Sequence, residues 1–211
     1  MSSFGEQTTH HVRGAVEGNA ASLTWLIERF SPLLRMQAEY RLGKTMAGRI
    51  SPDDVVQDAW LAVLPKLGSL VAQGGRLTPV LVSYLSKTVC GRAINHLRAH
   101  LTRSVREQPL ESRTGTGAVA SDAIASLVRT SSGMAAASEF AQQLTAALRS
   151  LRDKDRDVIV LRLIEGRTNA EAALELDERP NAVAQRYHRA ILALRERLPA
   201  SLIDEFAGVS G

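Results

Sequence analysis

The chain has 211 residues, of which 45% are hydrophobic and 4% aromatic, and its formal net charge is +4. This length allows one large domain or two small ones, and the hydrophobic fraction is normal for a globular protein. The mild positive charge is compatible with an anionic partner but does not identify one. A single cysteine, Cys90, excludes an intramolecular disulfide and a zinc site built from cysteines.

The N-terminal residues are polar and charged where a signal peptide needs an apolar core. No apolar run approaches the ~20 residues of a membrane span. We therefore expect a soluble, cytoplasmic protein that does not insert into a membrane.

Four segments precede the middle of the chain. Residues 1–18 are polar with scattered glycine and predict a flexible N-terminal tail. From Asn19, apolar residues at helical spacing predict one or two helices, and a second helical region begins at Ser51-Pro52. A third helix is expected from Thr78-Pro79, with Thr78 as its cap, to about Arg103. Its expected apolar stripe consists of Leu81, Leu85, Thr88 or Val89, Ile94, Leu97 and Leu101.

The composition changes after this helix. Residues 104–138 are rich in serine, threonine, glycine and alanine, so they bury little apolar surface. This predicts a flexible linker over residues 107–138, within which residues 122–129 have the pattern of a short helix. The expected fold is all-α, with two small helical domains at residues 19–106 and 139–199 and a C-terminal tail at 200–211.

The C-terminal domain has the pattern of a helix-turn-helix. An apolar helical run from Leu144 ends at Glu165-Gly166, because glycine readily adopts the left-handed conformation that ends a helix. A short helix follows over residues 169–176, with Thr168 and Glu171 as a capping box. Pro180 then begins the last helix, which carries Gln185, Arg186, His188 and Arg189 near its start. A basic helix after a tight turn has the geometry that enters a DNA major groove.

The third helix is a second candidate for nucleic-acid contact. No acidic residue occurs between Asp58 and Glu107, whereas seven lysines and arginines fall in that window. Gly91, Asn95 and Arg98 share one helical face, and Asn and Arg side chains bond base edges or phosphates. The alternative is a basic face that is merely solvated, although such faces usually mix charges of both signs.

The second helix carries an acidic stripe. Asp54, Gln57, Asp58 and Leu61 lie on one side of it, away from Trp60, which suits docking to a partner. Catalytic carboxylates would need a pocket and a nucleophile, and the sequence indicates neither. His10-His11 lacks further ligands for a metal, and no phosphate-binding loop occurs. We therefore expect no enzyme activity, no catalytic residue, no cofactor and no metal site.

Together these segments resemble a bacterial RNA polymerase sigma factor of the extracytoplasmic-function (ECF) type. Residues 19–106 resemble the second conserved domain of that family and residues 140–198 the fourth. The stretch from Asp54 to Leu61 is similar to the helix that binds polymerase. The string Tyr84-Leu85, Arg92, Asn95 and Arg98 is similar to the helix that opens the downstream (minus-ten) promoter element, and the C-terminal helix-turn-helix to the reader of the upstream (minus-thirty-five) element.

The resemblance implies partners and a role for each site. Core RNA polymerase, through the clamp and flap of its large subunits, and promoter DNA are the expected partners, and an anti-sigma factor is left open. Polymerase binding falls to Asp54, Gln57, Asp58 and Leu61. Downstream DNA binding falls to Arg92, Asn95, His96, Arg98 and Arg103. Upstream DNA binding falls to Asn181, Gln185, Arg186, His188 and Arg189.

The sequence departs from the family pattern at five positions: Gly91, Asn95, Asp177, Arg179 and Ala184. These departures predict an altered base preference and not a loss of DNA binding. Two alternatives to the sigma factor remain. A stand-alone helix-turn-helix regulator would bind a palindromic operator without polymerase, and a helical adaptor would have no DNA-dependent activity.

Overall fold

The computed structural model describes residues 4–43, 46, 48–105, 124, 126, 128 and 138–199. Within these residues the chain forms eight α-helices and no β-sheet, so the predicted all-α fold is confirmed. The helices are α1 (Phe4–Val16), α2 (Ala20–Leu42), α3 (Pro52–Val63), α4 (Thr78–Val105), α5 (Glu139–Ser150), α6 (Asp153–Ile159), α7 (Asn169–Leu176) and α8 (Pro180–Arg195). None of the described helices is long and apolar enough to cross a membrane.

Helix α1 corrects the prediction of a flexible tail over residues 1–18. It packs against α2, and its Thr8 and Val12 are buried. At Gly14 the two helices approach so closely that a Cβ atom would lie 2.3 Å from Ser22 Oγ. The ring of His11 stacks on the indole of Trp25 with 4.2 Å between the ring centroids. The sequence pattern does not predict α1, because this helix buries only a narrow face and therefore needs few large apolar residues.

Helices α2, α3 and α4 form the core of the N-terminal module. Helix α2 passes through Pro32 without interruption, and its apolar side packs against α3 and α4. The indole of Trp60 is fully buried, and its Nε1 donates a hydrogen bond to Ser31 Oγ at 3.1 Å. Helix α3 ends before Pro65, where a 3-10 helix continues over Leu64–Ser69. The predicted cap at Thr78 is wrong, because Thr78 is already helical and its hydroxyl is buried.

The C-terminal module contains the predicted helix-turn-helix. Helix α6 continues as a π-helical segment, Val160–Ile164, and Gly166 reverses the chain with a φ of 68°. Thr168 and Glu171 form the predicted capping box at the start of α7. Asp177 takes the left-handed conformation at the turn, and Pro180 begins α8.

The two modules pack directly against each other. Helix α2 contacts both α5 and the π-helical segment, and the buried apolar residues of the two modules form one continuous cluster. Ile124 and Val128 are helical and buried in the same cluster, in agreement with the short helix expected there. Apart from these residues, Ser126 and Ser138, the predicted linker lies outside the described residues, as do 1–3, Arg106 and the predicted tail after Pro199.

Candidate functional site

The outer side of α8 presents most of the residues predicted to read upstream DNA. Asn181, Gln185, His188 and Arg189 are exposed on one face, which we call the α8 face. The opposite side buries Val183, Ala190, Ile191 and Leu194 in the module. The helix is thus anchored by its apolar side, while the donors and acceptors suited to base edges point outward.

Arg186 differs from the other α8 residues predicted to contact DNA, because its side chain is paired within the protein. Its Nη2 donates to Glu178 Oε1 at 2.9 Å, and its Nη1 donates to Asp155 Oδ1 at 3.4 Å. The side chain of Glu178 is only 15% exposed. The guanidinium is therefore held inside the module, where it joins α8 to the preceding turn and to α6.

Two of the five departures from the family pattern, Asp177 and Arg179, lie at the turn before α8. Asp177 has a φ of 52° and a ψ of 47°, a conformation that an L-residue with a short polar side chain tolerates better than most. Arg179 occupies the N-cap of α8 and makes no capping hydrogen bond through its side chain. The start of α8 therefore has no side-chain cap.

The exposed side of α4 carries polar and apolar residues together. Gly91, Asn95 and Arg98 are exposed, and Ile94 and Leu101 are 47% and 56% exposed on the same side. We call these five residues the α4 face. The prediction that Ile94 and Leu101 belong to a buried stripe is wrong, since the fully buried part of the α4 stripe ends at Ala93.

Other predicted residues of α4 lie beside this face. Arg92 and His96 are half-buried. Arg103 lies near the end of the helix, where its side chain is outside the described residues. Among the described residues, apart from Gly91 itself, its chain neighbours and the nearby backbone of α4, no heavy atom lies within 4 Å of the position that a Cβ of Gly91 would take, so a ligand could approach the backbone there.

The acidic stripe of α3 lies next to α4. Asp54 is exposed, whereas Gln57, Asp58 and Leu61 are half-buried, and we call these four residues the α3 stripe. Its neighbour Asp53 instead forms an ion pair with Arg35 of α2. The acidic cluster at the start of α3 is therefore divided between an internal ion pair and an outward surface.

A contact between Asp58 and His96 joins the α3 stripe to α4. His96 Nε2 lies 2.8 Å from Asp58 Oδ2. The hydrogen bond with Asp58 raises the pKa of His96, against an opposing effect of burial, and the charges of Asp58 and Asp54 add to the rise. Two residues predicted for separate roles, one in polymerase binding and one in DNA binding, are thus partners.

Comparisons with known proteins agree with this geometry. A family model described as "Sigma-70, region 4" matches residues 141–194, which include the helix-turn-helix. The chain is also similar to proteins named "ECF RNA polymerase sigma factor SigD" from Mycobacterium bovis and Mycobacterium tuberculosis. The identity is 24% over 201 residues, which cover 95% of this chain and 88% of each relative. No solved structure gives a significant match.

Proposed function

We propose that the chain is an ECF RNA polymerase sigma factor and that it directs promoter recognition and transcription initiation through three separate surfaces. The α3 stripe binds core RNA polymerase, the α4 face holds the downstream promoter element, and the α8 face reads the upstream element. The observation that carries this proposal is the presence in one chain of the α3 stripe, the α4 face and the α8 face, with Asp58 of the stripe paired to His96 beside the α4 face.

The α3 stripe has the chemistry of a protein-docking surface. Its two carboxylates and one amide surround Leu61, while Trp60 on the opposite side fixes the helix in the core. A partially apolar patch with charged neighbours suits a basic, partly apolar site on the polymerase clamp. The charges also speed encounter and select the orientation of docking.

The α4 face suits DNA whose bases are being unpaired. Asn95 and Arg98 supply hydrogen bonds, while the exposed Ile94 and Leu101 give apolar surface for the faces of unstacked bases. Apolar side chains are used in this way by proteins that insert between base steps. This apolar contribution matters because the chain has only nine aromatic residues for base stacking, four Phe, three Tyr and two Trp.

The α8 face suits a major groove in intact DNA. Arg189 and Gln185 provide bidentate groups of the kind that read guanine and adenine. Arg186 is assigned to positioning, because Glu178 and Asp155 hold its guanidinium. The control of base preference therefore rests on Asn181, Gln185, His188 and Arg189.

Run-off transcription with core polymerase from the native host tests the proposal. Initiation from a cognate promoter is expected to depend on the protein. Arg189→Ala should reduce use of the upstream element about tenfold and leave co-elution with core polymerase unchanged. Arg197→Ala removes the same charge from a position after the end of α8 and is the matched control.

A second pair of variants tests the docking surface. Asp54→Arg should abolish co-elution with core polymerase while leaving the fold intact, because Asp54 is exposed. Glu17→Arg makes the same change of charge at an exposed position after α1 and should bind normally. Normal polymerase binding by Asp54→Arg would contradict the assignment of the α3 stripe. Tight operator binding without any polymerase dependence would favour a stand-alone regulator.

A further inference from the structure

Two acidic and two basic residues line the boundary between α3 and α4. Asp54 and Asp58 are four positions apart on α3, and Arg92 and His96 are four positions apart on α4, so each pair occupies successive turns of one helical face. The two helices pack against each other. The pKa of His96 is raised first by its hydrogen bond with Asp58, and the charges of Asp54 and Arg92 also act on it, in opposite directions. The four groups therefore lie close together.

His96 is directed towards α3 and not towards the α4 face. Its Nε2 lies 2.8 Å from Asp58 Oδ2, and its side chain is only 30% exposed. Successive residues of a helix differ in direction by about 100°, so His96 and the exposed Asn95 lie on different sides of α4. To contact DNA, His96 would first have to leave Asp58 and lose that hydrogen bond.

Asp58 is held by His96 without being covered by it. The contact uses one carboxylate oxygen, Oδ2, and the side chain of Asp58 is still 43% exposed. A carboxylate that is bonded through one oxygen retains acceptor sites for a partner. By contrast, the neighbouring Asp53 is 22% exposed and forms an ion pair with Arg35. Asp58 therefore combines a fixed orientation with an accessible negative charge.

A side chain that is fixed before docking gives tighter binding than a mobile one. Ordering a mobile side chain at an interface costs binding free energy, and a preorganised side chain avoids that cost. Hydrogen bonds to charged groups are stronger than those between neutral groups, so the imidazole of His96 limits the rotamers of Asp58. The exposure of Asp58 argues against simple competition, because a partner can bond the carboxylate while His96 stays in place.

We propose that His96 is a positioning residue for the α3 stripe: its imidazole fixes the carboxylate of Asp58 in the orientation that docks on core polymerase, and it does not contact DNA. The inference rests on the proposed function, because it takes the α3 stripe as the surface that binds polymerase. It revises the role predicted from the sequence, which groups His96 with Arg92, Asn95 and Arg98 on downstream DNA. One residue of the basic helix then belongs to the polymerase-binding surface.

Substitutions of His96 by glutamine and asparagine separate the hydrogen bond from the ring. The amide nitrogen of glutamine takes roughly the place of the imidazole Nε2, whereas that of asparagine takes roughly the place of Nδ1 and is too short to reach Asp58. We expect His96→Ala and His96→Asn each to weaken the affinity for core polymerase about threefold to tenfold. His96→Gln should restore the affinity to within about twofold of wild type.

The affinity is measured by titrating the N-terminally labelled full-length protein with core polymerase and following fluorescence anisotropy. His100→Ala removes the same kind of ring one turn further along α4 and should leave the affinity unchanged. A double-mutant cycle with Asp58→Ala tests whether His96 acts through Asp58. In the Asp58→Ala protein, His96→Ala should change the affinity by less than about twofold. A general loss of stability would instead weaken binding in both backgrounds, and circular dichroism shows whether each variant is folded.

Binding of DNA by the assembled complex tests the second half of the proposal. Each variant is mixed with core polymerase at a saturating concentration, so that weaker docking does not limit the measurement. The complex is then titrated with a fork-junction DNA that carries the downstream element of a cognate promoter. His96→Gln should bind this DNA as wild type does, whereas Arg98→Ala, from the α4 face, should bind it about tenfold more weakly.

Each outcome bears on one proposal. An unchanged polymerase affinity in His96→Ala would overturn the positioning role, as would a failure of His96→Gln to restore the affinity. An equal effect of His96→Ala with and without the carboxylate of Asp58 would overturn it as well. Weaker DNA binding by the His96→Gln complex would mean that His96 contacts DNA. Failure of the wild-type protein to bind core polymerase would instead refute the proposed function, whatever the variants do.

Discussion

Substitution of Glu165 by alanine is expected to destabilise the protein by about 2–3 kcal/mol. The carboxylate accepts two hydrogen bonds from the guanidinium of Arg41 and one from Gln37. Hydrogen bonds to charged groups contribute about 1.5–3 kcal/mol each in favourable cases. The residual pairing of Arg41 with Glu175, together with its 23% exposed side chain, limits the cost, because the guanidinium keeps a partner and some water.

The expected loss of stability is smaller than the loss from breaking a fully buried ion pair. Gln37 keeps its hydrogen bond to Ser86 Oγ at 2.9 Å when Glu165 is removed, so its amide nitrogen is not left unpaired. Glu165→Gln preserves the shape and one acceptor, and we expect it to cost about half as much as Glu165→Ala. The difference between wild type and Glu165→Gln isolates the contribution of the negative charge, because the amide keeps the shape of the carboxylate without its charge.

Urea denaturation, monitored by circular dichroism at several pH values, measures the free energies of unfolding of wild type and the Glu165 variants. Burial pushes the pKa of Glu165 upward, but the hydrogen bonds from Arg41 and Gln37 outweigh it and hold the pKa below its ordinary value. A lowered pKa in the folded state stabilises the protein above the ordinary carboxylate pKa, and this stabilisation is lost as the pH falls through the folded value. The difference between wild type and Glu165→Gln should therefore be largest at neutral pH and shrink in acid.

Two results would refute this reasoning. A Glu165→Ala protein as stable as wild type would mean that the buried carboxylate costs as much in lost hydration as its partners return. A difference in free energy of unfolding between wild type and Glu165→Gln that stays constant from pH 7 to strongly acidic pH would mean that the charge of Glu165 does not stabilise its contact with Arg41 and Gln37. Glu196→Ala serves as the control, since the side chain of Glu196 is 76% exposed and its removal should have little effect on stability.

Three further predictions concern single positions. Asp177→Gly should relieve the left-handed backbone and stabilise the protein by ~1 kcal/mol, seen as a melting temperature higher by about 2–4 °C. Gly14→Ala should lower the melting temperature, because the added methyl would collide with Ser22 Oγ. An unchanged melting temperature would mean that α1 does not pack as described. Because the pKa of His96 is raised, its pairing with Asp58 should stabilise the fold fully below the ordinary histidine pKa. That contribution should fall as the pH rises through the pKa of His96 in the folded protein. The free energy of unfolding of the Asp58→Asn variant should not show this pH dependence.

The helix-turn-helix was predictable because its signals are local. The capping box of Thr168 and Glu171, the proline at the start of α8 and the glycine after the π-helical segment each act within a few residues. Such signals need no knowledge of the rest of the fold.

Features that depend on distant partners were not predictable. Glu165 and Gln37 are 128 positions apart in the chain, and nothing in the local pattern of either indicates the other. The Glu165-Gly166 pair was interpreted only as the end of a helix. Likewise, Ile94 and Leu101 have helical spacing that fits a core stripe, but burial requires a neighbouring element, and no described residue covers these two side chains completely.

Two arginines of α8 illustrate why residue type alone does not assign a role. Arg186 and Arg189 are three positions apart in the same basic helix, and the sequence gives them the same function. The carboxylates of Glu178 and Asp155 hold Arg186 inside the module, whereas Arg189 is exposed on the α8 face. An arginine that already satisfies its donors within the protein must break those hydrogen bonds before it contacts a base, which lowers the gain from that contact. Under the proposed function, the base preference of α8 should therefore follow substitutions at Arg189 more closely than substitutions at Arg186, whose loss acts first on the stability of the helix-turn-helix.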